Sequence, residues 1–125
     1  MTNSLKGRTG LARIVRAAGH SWDGLKMAYS GESAFRQETW LAVLLIPASF
    51  WVGRSWVEVA LLAGSVALVL IVELLNSAIE ATVDRVSLEL HELSKRAKDL
   101  GSAAVFVSLV LCGCIWAAAL WHRYS

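Results

Sequence analysis

Residues 101–121 form an unbroken stretch of 21 residues without one charged side chain. That length matches the roughly 20 residues a helix needs to cross the hydrocarbon of a bilayer. Lipid offers no partner to an open backbone, so such a segment is restricted to a helix that closes its own hydrogen bonds. The remainder of the chain agrees with a membrane setting. Its 125 residues are 56% hydrophobic with a mean hydropathy of +0.53, more apolar side chain than one small soluble core needs.

Two further runs extend this pattern. Residues 35–52 are a second candidate span, with Arg36, Gln37 and Glu38 at its start and Pro47 placed to bend it. Residues 57–83 are a third. Lys6, Arg8, Arg13, Arg16, Lys26 and Arg36 precede the first span in chain order, and Arg85, Lys95, Arg96 and Lys98 lie between the second and third. Arg54 and Arg123 alone fall on the other side, so the positive charge puts the N-terminus and the 84–100 loop in the cytoplasm and the C-terminus on the opposite side of the membrane. Trp51, Trp56, Trp116 and Trp121 then gather near the outer interface as an aromatic belt.

Residues 10–30 read differently. Leu11, Ile14, Val15, Ala18, Trp22 and Leu25 recur at helical spacing, while Arg13, Arg16, His20, Asp23 and Lys26 mark a polar side. This predicts an amphipathic helix lying on the cytoplasmic leaflet, with Gly19, Gly24 and Gly31 weakening its continuity. The fold class expected is an all-α membrane protein: three transmembrane helices plus this N-terminal surface helix, in a single domain over residues 1–125 with no linker or internal repeat. The N-terminal charges are not followed by an apolar core and cleavage site, so the spans are expected to act as their own targeting signals.

A net charge of +2, without basic residues interleaved with exposed aromatics, excludes nucleic acid as a partner. Cys112 and Cys114 sit two apart on a helix and point to opposite sides, which rules out an easy chelate or local disulfide.

The chemistry concentrates in the 57–84 run, which carries Glu73, Asn76, Glu80 and Asp84 in its second half. At 100° per residue the four fall within an arc of about 80°, one narrow polar stripe. A carboxylate inside a membrane helix costs at least about 3 kcal/mol, so the stripe is expected to face a protein interior. A carboxylate in low dielectric suits a general base, and others nearer water suit a divalent cation. A packing network with Arg85, or a proton or ion pathway, uses the same residues. Ala60, Ala63, Gly64 and Ala67 form a small-residue strip that admits another helix closely, and three thin helices cannot enclose a large polar site alone. Oligomerisation is therefore expected.

Residues 87–99 mix donors and acceptors beside the stripe and suit either phosphate or an ordinary charged turn. Glu32 and Glu38 flank Phe35, Arg36 and Gln37, where they either reach the second span or cap a helix. His20, His91 and His122 are too dispersed to argue for a histidine metal site. No phosphate-binding loop, no glycine-loop, HRD or DFG set, and no nucleophile elbow is present.

Four segments are together distinctive: Ala17-Ala18-Gly19-His20-Ser21-Trp22, Glu32-Ser33-Ala34-Phe35-Arg36-Gln37-Glu38, ELLNSAIEATVDR from Glu73 to Arg85, and HELSKRAKDLGSA from His91 to Ala103. Over nearly its whole length the chain resembles the prokaryotic integral-membrane diacylglycerol kinases. The resemblance implies a homotrimeric helical bundle with active sites shared between subunits. It also implies transfer of the ATP γ-phosphate to diacylglycerol at the cytoplasmic face of the bacterial inner membrane. By the same resemblance Glu73 is the general base, supported by Asn76, and Glu32 and Glu80 hold Mg2+. Arg13, Lys98, Asp99 and the segment Glu89, Leu90 and His91 contact nucleotide, with His20 beside them. The lipid-side pocket draws on Arg13, Ala17, Ala18, Gly19, Ser21, Trp22, Ala34, Phe35, Arg36, Gln37, Glu38 and Ser102, with Trp51 and Trp116. His20 and Leu90 stand where tyrosine is usual in the family, outside the acidic core. Undecaprenol kinases share that core and are the nearest enzymatic alternative; a cation pathway or structural membrane subunit is the non-enzymatic one.

Overall fold

The computed structural model describes residues 9–86 and 92–125, which form four helices: α1 (Thr9–Gly31), α2 (Ser33–Val52), α3 (Trp56–Val86) and α4 (Glu92–Tyr124). α3 packs against both α2 and α4, most extensively against α4, and α1 docks on α2. α3 and α4 are both long and apolar enough to cross a membrane. The first expected span, residues 35–52, falls within α2, which runs through Pro47 but, unlike α3 and α4, is not among the helices long and apolar enough to qualify as a span.

α1 is continuous despite its glycines: Gly19 and Gly24 lie in open space, so they leave the helix no packing reason to break. Its apolar side is uncovered by protein, with Leu11, Ile14, Val15 and Trp22 all exposed, while Ala28 is buried. Contiguous uncovered apolar surface of this kind belongs against lipid or another chain. Its C-terminal carbonyls are satisfied from the next helix, since Arg36 Nη1 donates to Tyr29 O at 2.8 Å and to Ser30 O at 3.3 Å. Trp40 Nε1 adds a 3.0 Å bond to the Tyr29 hydroxyl.

The turn between α2 and α3 is tight and well capped. Ser55 Oγ accepts from Glu58 N at 3.2 Å, and Glu58 Oε1 accepts from Arg54 N at 3.2 Å, a reciprocal arrangement of the capping-box type. Arg54 Nη2 donates to Arg123 O at 2.9 Å and ties this turn to the end of α4.

α3 buries Leu62, Val66, Val69 and Glu73 along one seam. The pairs Trp116 Nε1–Leu62 O at 3.2 Å and Ser65 Oγ–Cys112 Sγ at 3.5 Å hold α3 and α4 in antiparallel register. A second seam on α3 is uncovered: Val57, Leu61, Gly64, Leu68, Ile71, Leu75 and Ala78 alternate spacings of four and three and are all exposed.

The segment expected as an 84–100 loop is mostly helical. α3 continues to Val86 and α4 begins at Glu92. Charge in 92–100 marks where the helix leaves the apolar phase, not where it ends, and Lys95 Nζ to Asp99 Oδ2 at 2.6 Å supports it at i,i+4.

Candidate active site

The four stripe residues grade from dry to wet along α3. Glu73 is buried at 8% exposure, Asn76 and Glu80 are half-buried, and Asp84 is exposed. Helical periodicity alone brings them to one side, and the antiparallel register of α4 with the approach of α2 closes over that side. The Glu73 end of the stripe therefore faces protein, as its desolvation cost requires, while the Asp84 end stays open.

Each level of the stripe meets a different neighbour. Glu73 stands beside the Glu38 carboxyl of α2. Glu38 Oε2 is buried and has no hydrogen-bond donor among the described residues. One turn further along, Asn76 Nδ2 donates to Glu80 Oε1 at 2.9 Å, and Asn76 lies against buried Gly101 of α4. At the open end Lys98 Nζ donates to Asp84 Oδ1 at 2.7 Å. That hydrogen bond, outweighing desolvation and joined by the charges of Asp84 and Glu80, raises the Lys98 pKa above its usual 10.5. Lys98 precedes the uncharged 101–121 segment and is a fixed cation at neutral pH. The partner of Asp84 is thus Lys98, not Arg85.

Glu32 occupies the break between α1 and α2 in extended backbone. Its side chain makes no capping bond, so the capping reading of this carboxylate does not hold. It instead lines a cleft of about 640 Å³ between α1 and α3, with Ser21 and Ala28 on one side and Leu74, Ser77 and Ala81 on the other. Among the described residues no three His, Cys, Asp or Glu side chains converge as a cation cage. A donor set of one or two carboxylates completed by phosphate and water is what Mg2+ ordinarily accepts.

Other expected positions are scattered. Arg13, Ala17, Ala18, Gly19, His20 and Trp22 are exposed on α1, and Ala34 and Gln37 are exposed on α2. Phe35 is buried in the bundle, and the Arg36 guanidinium is engaged with α1 carbonyls. Ser102 is exposed beside Gly101, and Asp99 is paired with Lys95. Trp51 is exposed at the far end of α2; Trp116 bonds Leu62, eleven residues or about 16 Å of helix rise before Glu73. Glu89, Leu90 and His91 lie outside the described residues.

Sequence reasoning gave no role to Gly101 or to Ser77, Ala78 and Ala81 on the cleft wall. The available signal was the run of small residues flanking the stripe, which permits close approach on that side.

Comparison with known proteins bears on the whole chain. The family model described as prokaryotic diacylglycerol kinase matches residues 19–120, a range that includes Glu32, Glu38, the stripe, Lys98 and Gly101 but not Arg13. The chain is 57% identical over 115 residues to a diacylglycerol kinase of Pseudomonas aeruginosa, covering 92% of this chain and 94% of that one. It is 48% identical over 117 residues to a diacylglycerol kinase of Escherichia coli K12, covering 94% and 96%, and 40% identical over 115 residues to one from Helicobacter pylori, covering 92% and 90%. A match of this extent establishes that the protein belongs to the prokaryotic diacylglycerol kinase family.

Proposed function

We propose that the protein is a diacylglycerol kinase of the bacterial inner membrane that transfers the γ-phosphoryl group of ATP to the free hydroxyl of diacylglycerol, giving phosphatidic acid and ADP at the cytoplasmic face. The observation that carries this reading is the buried Glu73, set beside Glu38 and one turn from the Asn76–Glu80 pair. Glu73 takes the hydroxyl proton as the lipid oxygen bonds to the γ-phosphorus, and the bond to the β–γ bridging oxygen breaks to release ADP. Such a transfer depends on positioning and charge neutralisation more than on covalent chemistry. Asn76 supports this step and fixes Glu80. Glu32 and Glu80 are the residues that would hold Mg2+, which when bound would supply neutralisation of the transferring charge. Lys98, Asp99, Arg13, His20 and the Glu89, Leu90 and His91 segment serve the nucleotide.

Seven residues from Glu73 to Glu80 rise about 10.5 Å, enough for one helix face to address a lipid hydroxyl and a water-borne nucleotide together. Trp51 and Trp116, far from Glu73 within one chain, fit interfacial anchoring better than contact with the reacting group. The whole chain acts as one domain, with α2, α3 and α4 as spans, the N-terminus and the α3–α4 connection cytoplasmic and the C-terminus periplasmic. Self-association into a homotrimer with shared sites is supported by the uncovered seam of α3.

Mixed micelles presenting either dioleoylglycerol or undecaprenol, with and without Mg2+, test the assignment. The expected result is Mg2+-dependent phosphorylation of dioleoylglycerol in preference to undecaprenol. Preference for undecaprenol would reassign the substrate, and no transfer to either lipid would favour a non-enzymatic role.

A further inference from the structure

Gly101 is buried at the level of Asn76. A Cβ placed on it would land on the Asn76 Oδ1 and stand 3.2 Å from Cγ. In the glycine, a Cα hydrogen takes that direction and meets the oxygen. Asn76 Oδ1 is itself buried and receives no N–H or O–H donor among the described residues. A Cα–H···O contact is therefore what the α4 backbone offers it. At its other end the same amide donates to Glu80 Oε1 at 2.9 Å. Turning the amide over would set its NH2 against the Gly101 Cα–H and its oxygen against the Glu80 carboxylate, so both ends select one orientation.

The geometry points to Gly101 as a positioning residue that holds the Asn76 amide, and through it one oxygen of Glu80, in the place where the metal-nucleotide is received. Any side chain at 101 displaces the amide, and Glu80 then loses the bond that aims it. This inference rests on the assignment of Glu80 to the metal. It differs from a packing role for the glycine, because its effect passes through one side chain and disappears when that side chain is removed.

The experiment is a double-mutant cycle of Gly101→Ala and Asn76→Ala, with Glu80→Gln in parallel, reading the apparent KM for Mg2+, kcat, and oligomer size in the same detergent. Gly101→Ala is expected to raise the KM for Mg2+ about tenfold, the lower end for loss of a group that orients a metal ligand, with assembly retained. In the Asn76→Ala background the added Gly101→Ala is expected to shift that KM by less than about twofold. A fall in kcat or assembly at unchanged KM, or an effect carried undiminished into the Asn76→Ala background, overturns the inference. Should Gly101→Ala alone fail to assemble, recovery in the double variant supports the clash with Asn76, and failure of both overturns it. A KM shift for Glu80→Gln without one for Gly101→Ala overturns the role of Gly101 alone; no shift in either overturns the metal assignment as well.

Discussion

Glu73 is the one charged side chain among the described residues that the fold removes from water, whereas Glu80 and Asp84 stay partly or wholly wet. A carboxylate kept in an apolar bundle is costly, and its cost is recovered only if the group does something that a glutamine of equal size cannot. Glu73→Gln preserves volume and hydrogen-bonding but removes the proton acceptor. Turnover is expected to fall by about 10² to 10⁴, the usual contribution of a positioned general base, with oligomer size and nucleotide binding retained. Steady-state phosphorylation of dioleoylglycerol, alongside size-exclusion and nucleotide titration, reads this directly; near-normal turnover removes the general-base role. The stripe itself was legible in the sequence, because the spacing of residues 73, 76, 80 and 84 depends on one helix alone. The contact of Asn76 with Gly101 was not, since periodicity tells which face a residue occupies but not which residue of another helix arrives there. Glu32 shows the same limit: its sequence position admits a cap or a site, and neither the absence of a capping bond nor the adjoining cleft can be read from that position.

At the scale of elements, the turn between α2 and α3 sets the register of everything that follows, including the level at which Glu38 meets Glu73. Gly53 has an ordinary negative φ of −71°, so backbone conformation does not call for glycine there. Space does. A Cβ would lie 2.7 Å from Val59 Cγ2 and 2.9 Å from both Ser49 O and Val59 N, two of them backbone atoms that cannot swing aside. Gly53→Ala is expected to open the turn and destabilise the fold by about 1 to 3 kcal/mol, the usual range for overpacking. A lowered thermal midpoint in detergent checks this, and an unchanged midpoint shows that the turn is less constrained than its contacts imply. The four helices were readable from apolar periodicity and run length, and their ends less so. The charge of residues 92–100 suggests a loop between spans, yet hydropathy separates lipid from water and not helix from coil. The ion pair of Lys95 with Asp99 is a helical pattern in its own right. Likewise Gly19 and Gly24 each lower helix propensity, but α1 is long and capped by Arg36 from the next helix, and two modest penalties do not break it.

For the whole molecule, the apolar surface left over by one chain is the clearest indication of how copies assemble. α3 buries Leu62, Val66, Val69 and Glu73 on one seam and leaves Val57, Leu61, Leu68, Ile71 and Leu75 uncovered on another. Lipid alone would cover such a face, so exposure by itself does not demand a protein partner. Two features favour one: the strict alternation of four and three, which is the pattern of helices packing on their own kind, and small residues at Gly64 and Ala78 within it. The two glycines Gly64 and Gly113 separate these possibilities. Among the described residues no other element has an atom within 4 Å of a Cβ at either position, so neither site meets a neighbouring helix within one subunit. If α3 seams meet at the centre of the proposed trimer, Gly64→Leu forces the backbones apart and the oligomer dissociates, while Gly113→Leu on α4 faces lipid and leaves it intact. Light scattering of the purified variants in detergent reads the difference as a change in mass. Activity should follow mass for Gly64→Leu, because a site shared between subunits is lost with the interface. Intact trimers from Gly64→Leu, or equal dissociation from both, would show that the seam of α3 lies against lipid and that copies meet elsewhere.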